Sequence, residues 1–479
     1  MKPPTARDLP RSAWMVLITL ALFRAITYLL SDVSASGDGV NYLNNASYIG
    51  THRILPPLAV QPNAYGWLLS WFQVHKDPDG ALLRIGRVQQ LLDFSIVMTL
   101  CWLALQMLGR SKPWLLVGAW TLILLQPFTG IWSRTIYSEQ TVSFLSFAGF
   151  LALSIFLFRC QGKRTALLGV ASAGAALGLA SILRSDVLAL NTVLLLGLTI
   201  YLAFLAGNWL RWRRQKILAM VLAYIAVPLM MSSYQYASSG EFGIVNNNRL
   251  HEGYFGWMRT WPATPSEYEV FSFFSQNHAW TLDNYPAKAF DTMAEKREFA
   301  SIMDEWKKQS LAPSATIDAR FRALAQAKIR QHPLRHYIFN PLQRIVYFWV
   351  NKDGSQFYTV PYKLQRPIST AAAGLILLIR LLFIGLFSAG IWGLIMRPKR
   401  NQWSLQPENW LSLFCVLACA YALLRTLELG LLSSFMIAGL MELRFISIAM
   451  PFFLVVALLG AQTLTERGRP SQRLRDRGV

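Results

Sequence analysis

Long apolar runs broken by short polar stretches dominate this chain. A helix needs about 20 apolar residues to cross a bilayer, and about ten runs meet that measure. They lie at 13–30, 89–109, 114–132, 139–158, 165–183, 187–206, 217–236, 371–396, 409–428 and 445–464. The pattern changes in two places. The stretch 31–88 is mixed in character, and 237–370 is a long segment without a span-length apolar run. Within the latter, "FDTMAEKREFASIMDEWKKQ" and "PSATIDARFRALAQAKIRQH" have helical apolar spacing, the second with Ser314 and Thr316 as candidate caps. In "PLRHYIFNPLQRIVYFWV" apolar and aromatic residues interleave with Arg335 and Arg344, which suits a helix over 333–350 lying in a membrane interface. The expected fold is an all-α polytopic membrane protein. Its expected parts are a transmembrane module over 1–236 with a first loop at 31–88, a mostly helical segment over 237–370, C-terminal transmembrane helices over 371–464, and a tail at 465–479.

Composition agrees with that class. Of 479 residues, 54% are hydrophobic and 15% charged, against about a quarter charged in a soluble domain. The formal charge of +21 would suggest nucleic acid in a soluble protein. Here its distribution gives a different account. The N-terminus (Lys2, Arg7, Arg11), "GRSKP" at 109, "RCQGKR" at 159, "NWLRWRRQK" at 208, "RPKR" at 397 and the tail "ERGRPSQRLRDRGV" are all basic and alternate in register with the spans. By the positive-inside rule these face the cytoplasm, with both termini inside. The run from Ala13 to Leu30 contains Arg24 and lacks a clear small-x-small cleavage site, so it reads as a retained span. Four cysteines give neither a disulfide framework nor metal-ligand spacing with histidine. No internal repeat and no nucleic-acid motif is present.

The side opposite the basic loops collects ionisable residues at or just beyond span ends: Asp38, Asp93, Arg134, Glu139, Arg184, Asp186, Arg425, Glu428, Glu442 and Arg444, with Arg24 and Arg380 inside spans. A charge at membrane depth costs a few kcal/mol on insertion scales and faces a cavity or a partner. One such residue alone is well explained by snorkelling or an ion pair; this many on one side point to a polar cavity. In "DGVNYLNNASYI", Asp38, Asn41, Tyr42 and Asn45 fall at i, i+3, i+4 and i+7, on one helical face. Asp38 stands where an N-cap would stand. It also stands where a general base would take a proton from an acceptor hydroxyl. Composition leaves both roles open. "WSRTIYSEQ" and "LRSDVLAL" each set an arginine beside an acid, as a salt-bridged turn or as a clamp for phosphate. "MELRFISIAMPFF" places Glu442, Arg444 and Pro451 at the last span, as an interfacial anchor or as part of a site.

Together these stretches resemble the GT-C superfamily of integral-membrane glycosyltransferases, the broad group of protein mannosyltransferases and lipid A aminoarabinose transferases. "GDGVNYLNNA" resembles the family's first outer loop, and "PPLAVQPNAYGWLLSW" its proline-rich continuation. "RTIYSEQTVSFLSFAGFLAL" resembles the turn and span with a Ser/Thr-Glu pair. "LGLASILRSDVLAL" is similar to the Arg-bearing turn, with Asp186 where a proline or small residue is common. "IRQHPLRHYIFNPLQRIVYFW" resembles the interfacial helix, and "MELRFISIAMPFFLVVALLGA" the closing span. The likeness covers the first seven spans in order and the end of the chain. One departure is plain: the family's first loop often carries two acids, and here Gly37 and Gly39 flank a lone Asp38, which leaves a divalent metal open.

The resemblance implies a GT-C-like fold with outer-face juxtamembrane helices, in a bacterial inner membrane with a periplasmic active site. It implies transfer of a sugar, with inversion, from a polyprenyl-phosphate-linked donor to a glycan, lipid or protein acceptor. Asp38 would be the base, Arg134, Arg184 and Arg444 would hold the departing phosphate, and Asn41, Tyr42, Glu139 and Glu442 would shape the substrate site. Membrane lipids are expected partners and nucleic acid is not; no cofactor is required by the motifs. Two rivals remain at this stage. An O-antigen polymerase or ligase also has many spans and leans on loop arginines and histidines, for which His251, His278, His332 and His336 are available. A transporter or flippase would use the cavity as a path, but such proteins often show a hydropathy repeat that is missing here.

Overall fold

The computed structural model describes residues 10–35, 38–56, 63–108, 113–125, 133, 135–158, 160, 162–204, 210–240, 242, 252–261, 282–309, 314–350, 370–396, 410–432 and 447–467. In chain order its helices are α1 (Arg11–Leu29), α2 (Asp38–His52), α3 (Asn63–Ser70), α4 (Pro78–Leu108), α5 (Pro113–Leu125), α6 (Ser138–Phe158), α7 (Lys163–Leu183), α8 (Ser185–Phe204), α9 (Leu210–Ser239), α10 (Glu252–Met258), α11 (Met293–Lys308), α12 (Ala315–Gln331), α13 (Asn340–Val350), α14 (Thr370–Met396), α15 (Trp410–Leu432) and α16 (Met450–Arg467). Six of them, α1, α4, α6, α7, α9 and α15, are long and apolar enough to cross a membrane. Helix α5 and the apolar parts of α8, α14 and α16 are shorter. Among the described residues, each of the expected apolar runs lies mainly on one of these helices. Among the described residues the only β-pairing is an isolated parallel bridge between Ser34 and Thr135.

The chain divides into two compact units. One comprises Met1–Asn247, Leu381–Ala422 and Ser447–Val479, the other Asn248–Arg380 and Leu423–Ile446. In the first unit, basic side chains finish helices. The last carbonyls of a helix lack intrahelical donors and form the negative end of its dipole, so a cation there meets both needs. Arg87 on α4 donates to the Tyr28 carbonyl at 2.5 Å and the Leu29 carbonyl at 3.0 Å, closing α1. Arg24 on α1 donates to the Leu124 carbonyl of α5 at 2.8 Å. Lys216 on α9 donates to the Phe156 and Leu157 carbonyls of α6 at 2.9 and 3.2 Å. Part of the positive charge is therefore spent on holding the bundle.

Arg24 does a second job. Its Nη2 lies 2.7 Å from Asp93, which is fully buried, and its Nε donates to the Tyr28 hydroxyl at 2.7 Å. The Tyr28 hydroxyl also bonds Asp93, and Gln140 of α6 donates to the other Asp93 oxygen at 3.5 Å. The expectation that Arg24 and Asp93 border an open cavity is corrected: they form an ion pair inside the helix bundle. Where α7 crosses α9, a Cβ on Gly174 would stand 2.4 Å from the Met220 carbonyl oxygen, and one on Gly178 would stand 2.6 Å from that of Tyr224. The G-x-x-x-G spacing lets two backbones touch, as in other membrane helix pairs.

The second unit has an aromatic core of Tyr254, Trp257, Trp261, Phe299, Trp306 and Phe321. Thr292 caps α11 by accepting the Glu295 N–H at 3.0 Å, and Ser314 caps α12 by accepting that of Ile317 at 3.5 Å. Thr316 sits inside the first turn of α12, so of the two candidate caps Ser314 is the one used. Lys328 is buried in this core and pairs with Glu295 at 2.9 Å and Asp291 at 3.5 Å. Asp291 also takes both terminal nitrogens of Arg335, one of them at 2.8 Å. Arg425 is fully buried and pairs with Glu428 at 2.8 Å, again a pair within the protein.

Candidate active site

The candidate site lies where three helices begin. The bridge from Ser34 to Thr135, with the Ile136 N–H donating to the Ser34 carbonyl at 3.2 Å, lays the approach to α2 beside the approach to α6. Gly39, in the first turn of α2, presses on the same segment; a Cβ there would stand 2.8 Å from the Ile136 carbonyl oxygen. Glu139, in the first turn of α6, then reaches Arg184 at 2.5 Å, in the turn before α8. Arg184 is held in turn by Asp186 through two bonds, Nε to Oδ1 at 3.0 Å and Nη2 to Oδ2 at 2.9 Å. The starts of α2, α6 and α8 are thus linked one to the next.

Each of those starts carries one acid in its first turn: Asp38, Glu139 and Asp186. The positive end of a helix dipole favours a carboxylate there. Asp38 is the first residue of α2 and is half-buried; Glu139 is almost wholly buried. Asn41 is half-buried on α2, while Tyr42 is buried, its ring edge-on to Tyr65 with centroids 4.8 Å apart. The Tyr42 and Ser138 hydroxyls lie 3.4 Å apart.

Beneath these residues runs a network that the sequence reading missed. Tyr65 on α3 donates to the Tyr137 carbonyl at 3.0 Å, and Gln89 on α4 donates to that carbonyl at 2.7 Å and to the Tyr65 hydroxyl at 2.8 Å. Burial pushes the Tyr65 phenol far above its ordinary pKa, with hydrogen bonds from Thr141 and Gln89 pulling the other way. Tyr65 therefore stays a neutral donor and pins the turn ahead of α6. The available signal was the polar pair Gln89 and Gln90 at the head of an apolar run.

Of the other expected site residues, Arg134, Glu442 and Arg444 lie outside the described residues, as do His251 and His278. Asn45, one turn beyond Asn41 on α2, has its amide nitrogen buried, and a Cβ on Gly66 of α3 would stand 2.7 Å from the Asn45 Cβ. Among the described residues no three His, Cys, Asp or Glu side chains gather as a metal site.

No family model matches this chain, and no curated protein matches it. Three solved structures are similar to it. One is ArnT from Cupriavidus metallidurans in the apo state, 14% identical, with a TM-score of 0.39 over 95% of this chain and 78% of that one. Another is the same protein bound to undecaprenyl phosphate, at the same identity and TM-score, over 95% of this chain and 79% of that one. The third is the archaeal oligosaccharyltransferase AglB from Archaeoglobus fulgidus, in complex with an inhibitory peptide and a dolichol-phosphate. It is 12% identical, with a TM-score of 0.42 over 93% of this chain and 50% of that one.

Proposed function

We propose that this protein is a membrane glycosyltransferase that moves a sugar from a polyprenyl-phosphate-linked donor to an acceptor hydroxyl, with inversion. The observation that carries the reading is the linkage of three helix starts, with Asp38 half-buried at the first and the Glu139–Arg184–Asp186 cluster joining the other two. Helix N-termini present free N–H groups and a positive dipole end, which suit a phosphate. The acids at the same turns supply groups that accept protons and hydroxyl hydrogen bonds.

The chemistry balances with these parts. The acceptor oxygen attacks the anomeric carbon, the bond from that carbon to the phosphate oxygen breaks, and the lipid phosphate leaves with the electron pair. Asp38 takes the acceptor's proton. Arg134 and Arg444 are proposed to meet the charge developing on the phosphate, as cations do in other phosphoryl and glycosyl sites. Arg184 is already engaged by two carboxylates, so its part in holding phosphate requires that cluster to open. With the cluster closed, Arg184 serves as a positioning residue for Glu139. Asn41, Tyr42, Glu139 and Glu442 are proposed to shape the sugar and acceptor site.

One helix supports a choice of membrane side. Helix α6 runs from the candidate site at Ser138 to Phe158, and the basic residues Lys163 and Arg164 open the next helix at that far end. Basic ends face the cytoplasm, so the site is proposed to lie on the periplasmic face of an inner membrane.

The deciding experiment is transfer in membranes supplied with a panel of radiolabelled polyprenyl-phosphate sugars, comparing the natural chain with Asp38→Asn. The swap keeps the shape of the side chain and one acceptor oxygen but removes its charge and basicity. A general base is worth about 10²–10⁴ in rate, so turnover should fall at least a hundredfold at unchanged expression. Full turnover in the variant would reduce Asp38 to a helix-start residue and remove the base from the scheme.

A further inference from the structure

Helix α7 ends at Leu183 and α8 begins at Ser185, so Arg184 is the single residue that joins them. Its backbone is extended, with φ −149° and ψ 125°, and its carbonyl accepts the Leu188 N–H at 3.3 Å. A joint of one residue has no slack. Each residue offers only two soft backbone dihedrals, so a change in the angle between α7 and α8 must turn those of Arg184. The guanidinium swings with them, and it is the group that Glu139 and Asp186 hold.

A polar hub within about two turns of the joint ties the same two helices to each other and to α9. Asn191 on α8 donates its amide nitrogen to the Leu177 carbonyl at 3.3 Å and the Ser181 hydroxyl at 3.1 Å, both on α7. The Tyr224 hydroxyl of α9 lies 3.2 Å from that of Ser181 and 2.8 Å from that of Thr192 on α8. Ser181 and Thr192 also donate to carbonyls four residues back, Leu177 at 2.8 Å and Leu188 at 2.7 Å. Tyr224 is itself seated by backbone. Pro228, four residues on, has no N–H, which leaves the Tyr224 carbonyl without its ordinary helical donor. Gly178 packs α7 against that carbonyl.

As packing alone, the hub is a poor choice. Asn191 is fully buried, and its carbonyl oxygen has no donor among the described residues, an arrangement that costs stability. Asn191→Leu would strand no partner, because the Leu177 carbonyl keeps the Ser181 hydroxyl and Ser181 keeps Tyr224. What the amide supplies is a fixed place for α8 on α7, the use that polar side chains have between membrane helices. We propose that Asn191 and Tyr224 are positioning residues for the candidate active site. They fix the angle between α7 and α8 and, through the one-residue joint, aim Arg184 at Glu139. The proposal rests on the transferase reading for the meaning of the Glu139–Arg184–Asp186 cluster, and its geometry stands apart from that reading.

Paired spin labels in the full chain read the angle, and transfer reads its consequence. Cys160, the one described cysteine that is not buried, is replaced by serine. Labels are placed through Leu168→Cys on α7 and Leu196→Cys on α8, both at exposed positions. Leu196 stands about 18 Å along α8 from the joint, where a change of about 10° moves a label by about 3 Å. In nanodiscs, Asn191→Leu and Tyr224→Phe should each shift or broaden the distance between the labels. Asn191→Leu should do so with an unfolding temperature no lower than that of the labelled parent. Its turnover should nonetheless fall about tenfold, since small misplacements of an active-site group are costly. Unchanged distances in both variants would overturn the proposal. So would a lower unfolding temperature in Asn191→Leu, which would make the hub plain packing, or full turnover despite shifted distances. A parent chain that moves no sugar would sink the transferase reading, while the distances would still decide whether the hub sets the angle.

Discussion

The pair between Arg24 and Asp93 offers a quantitative test of how the first unit is held together. Asp93 is fully buried and accepts from Arg24 at 2.7 Å, from Tyr28 and from Gln140, while Arg24 also serves the Leu124 carbonyl. Removing one partner of such a pair strands a charge and costs about 3–5 kcal/mol. Asp93→Leu leaves the Arg24 cation with a phenol and a carbonyl, and Arg24→Met leaves the Asp93 anion with a phenol and an amide. Each should therefore lose several kcal/mol. Exchanging both for apolar residues of similar volume is often neutral or stabilising, by about 1–4 kcal/mol. Here the double change also deprives Leu124 of its donor, so near-parity with the natural chain is expected. Thermal unfolding followed by tryptophan fluorescence in nanodiscs reads the result. At the lower end of about 2–4 °C per kcal/mol, each single variant should drop by roughly 6–10 °C. The double variant should recover most of that loss. If instead the double falls by the sum of the singles, the two side chains act independently, and the bundle does not rest on their pairing.

Two further outcomes follow from local geometry. Gly39→Ala puts a methyl group 2.8 Å from the Ile136 carbonyl oxygen, a backbone atom with little room to yield. Overpacking of this kind costs about 1–3 kcal/mol and should shift Asp38 away from the α6 start; the unfolding temperature and the proposed transfer should both fall, and an unaltered protein would show that this contact is slack. In the second unit, burial would raise the Asp291 carboxyl, but the Arg335 hydrogen bonds and the charges of Lys328, Arg335 and His332 hold it below its ordinary value of 3.8. A depressed carboxyl pKa contributes stability that is present above the unfolded value and lost as pH falls through the folded one. Acid titration of the unfolding temperature from pH 6 to 3 should therefore be shallower in Asp291→Asn than in the natural chain, and identical slopes would assign the acid sensitivity elsewhere.

The helices were legible because membrane spans announce themselves through length and apolar content alone, without reference to partners. The start of α2 was legible for a related reason: Asp38 and Tyr42 are one turn apart, so local spacing puts them together. What spacing could not supply was the ledger of charges. Arg24 and Asp93 are 69 residues apart, and both stand among leucines, so each looked like a group facing a cavity. Only the packing of α1 against α4 shows that they neutralise one another. Arg184 shows the same gap in a more consequential form. The sequence left Arg184 as a salt-bridged turn or a clamp for phosphate; the fold closes it on its neighbour Asp186 and also on Glu139, 45 residues away, which no local spacing announces. Lys216, Arg87 and Arg344 extend the point, since their partners are backbone carbonyls that no residue type can encode. A positive chain in a membrane is therefore read correctly only after its helix ends are counted. Several of its cations hold helices together, and at the starts of α2, α6 and α8 it is the acids Asp38, Glu139 and Asp186, with Arg184 closed on the last two, whose chemistry is left to explain.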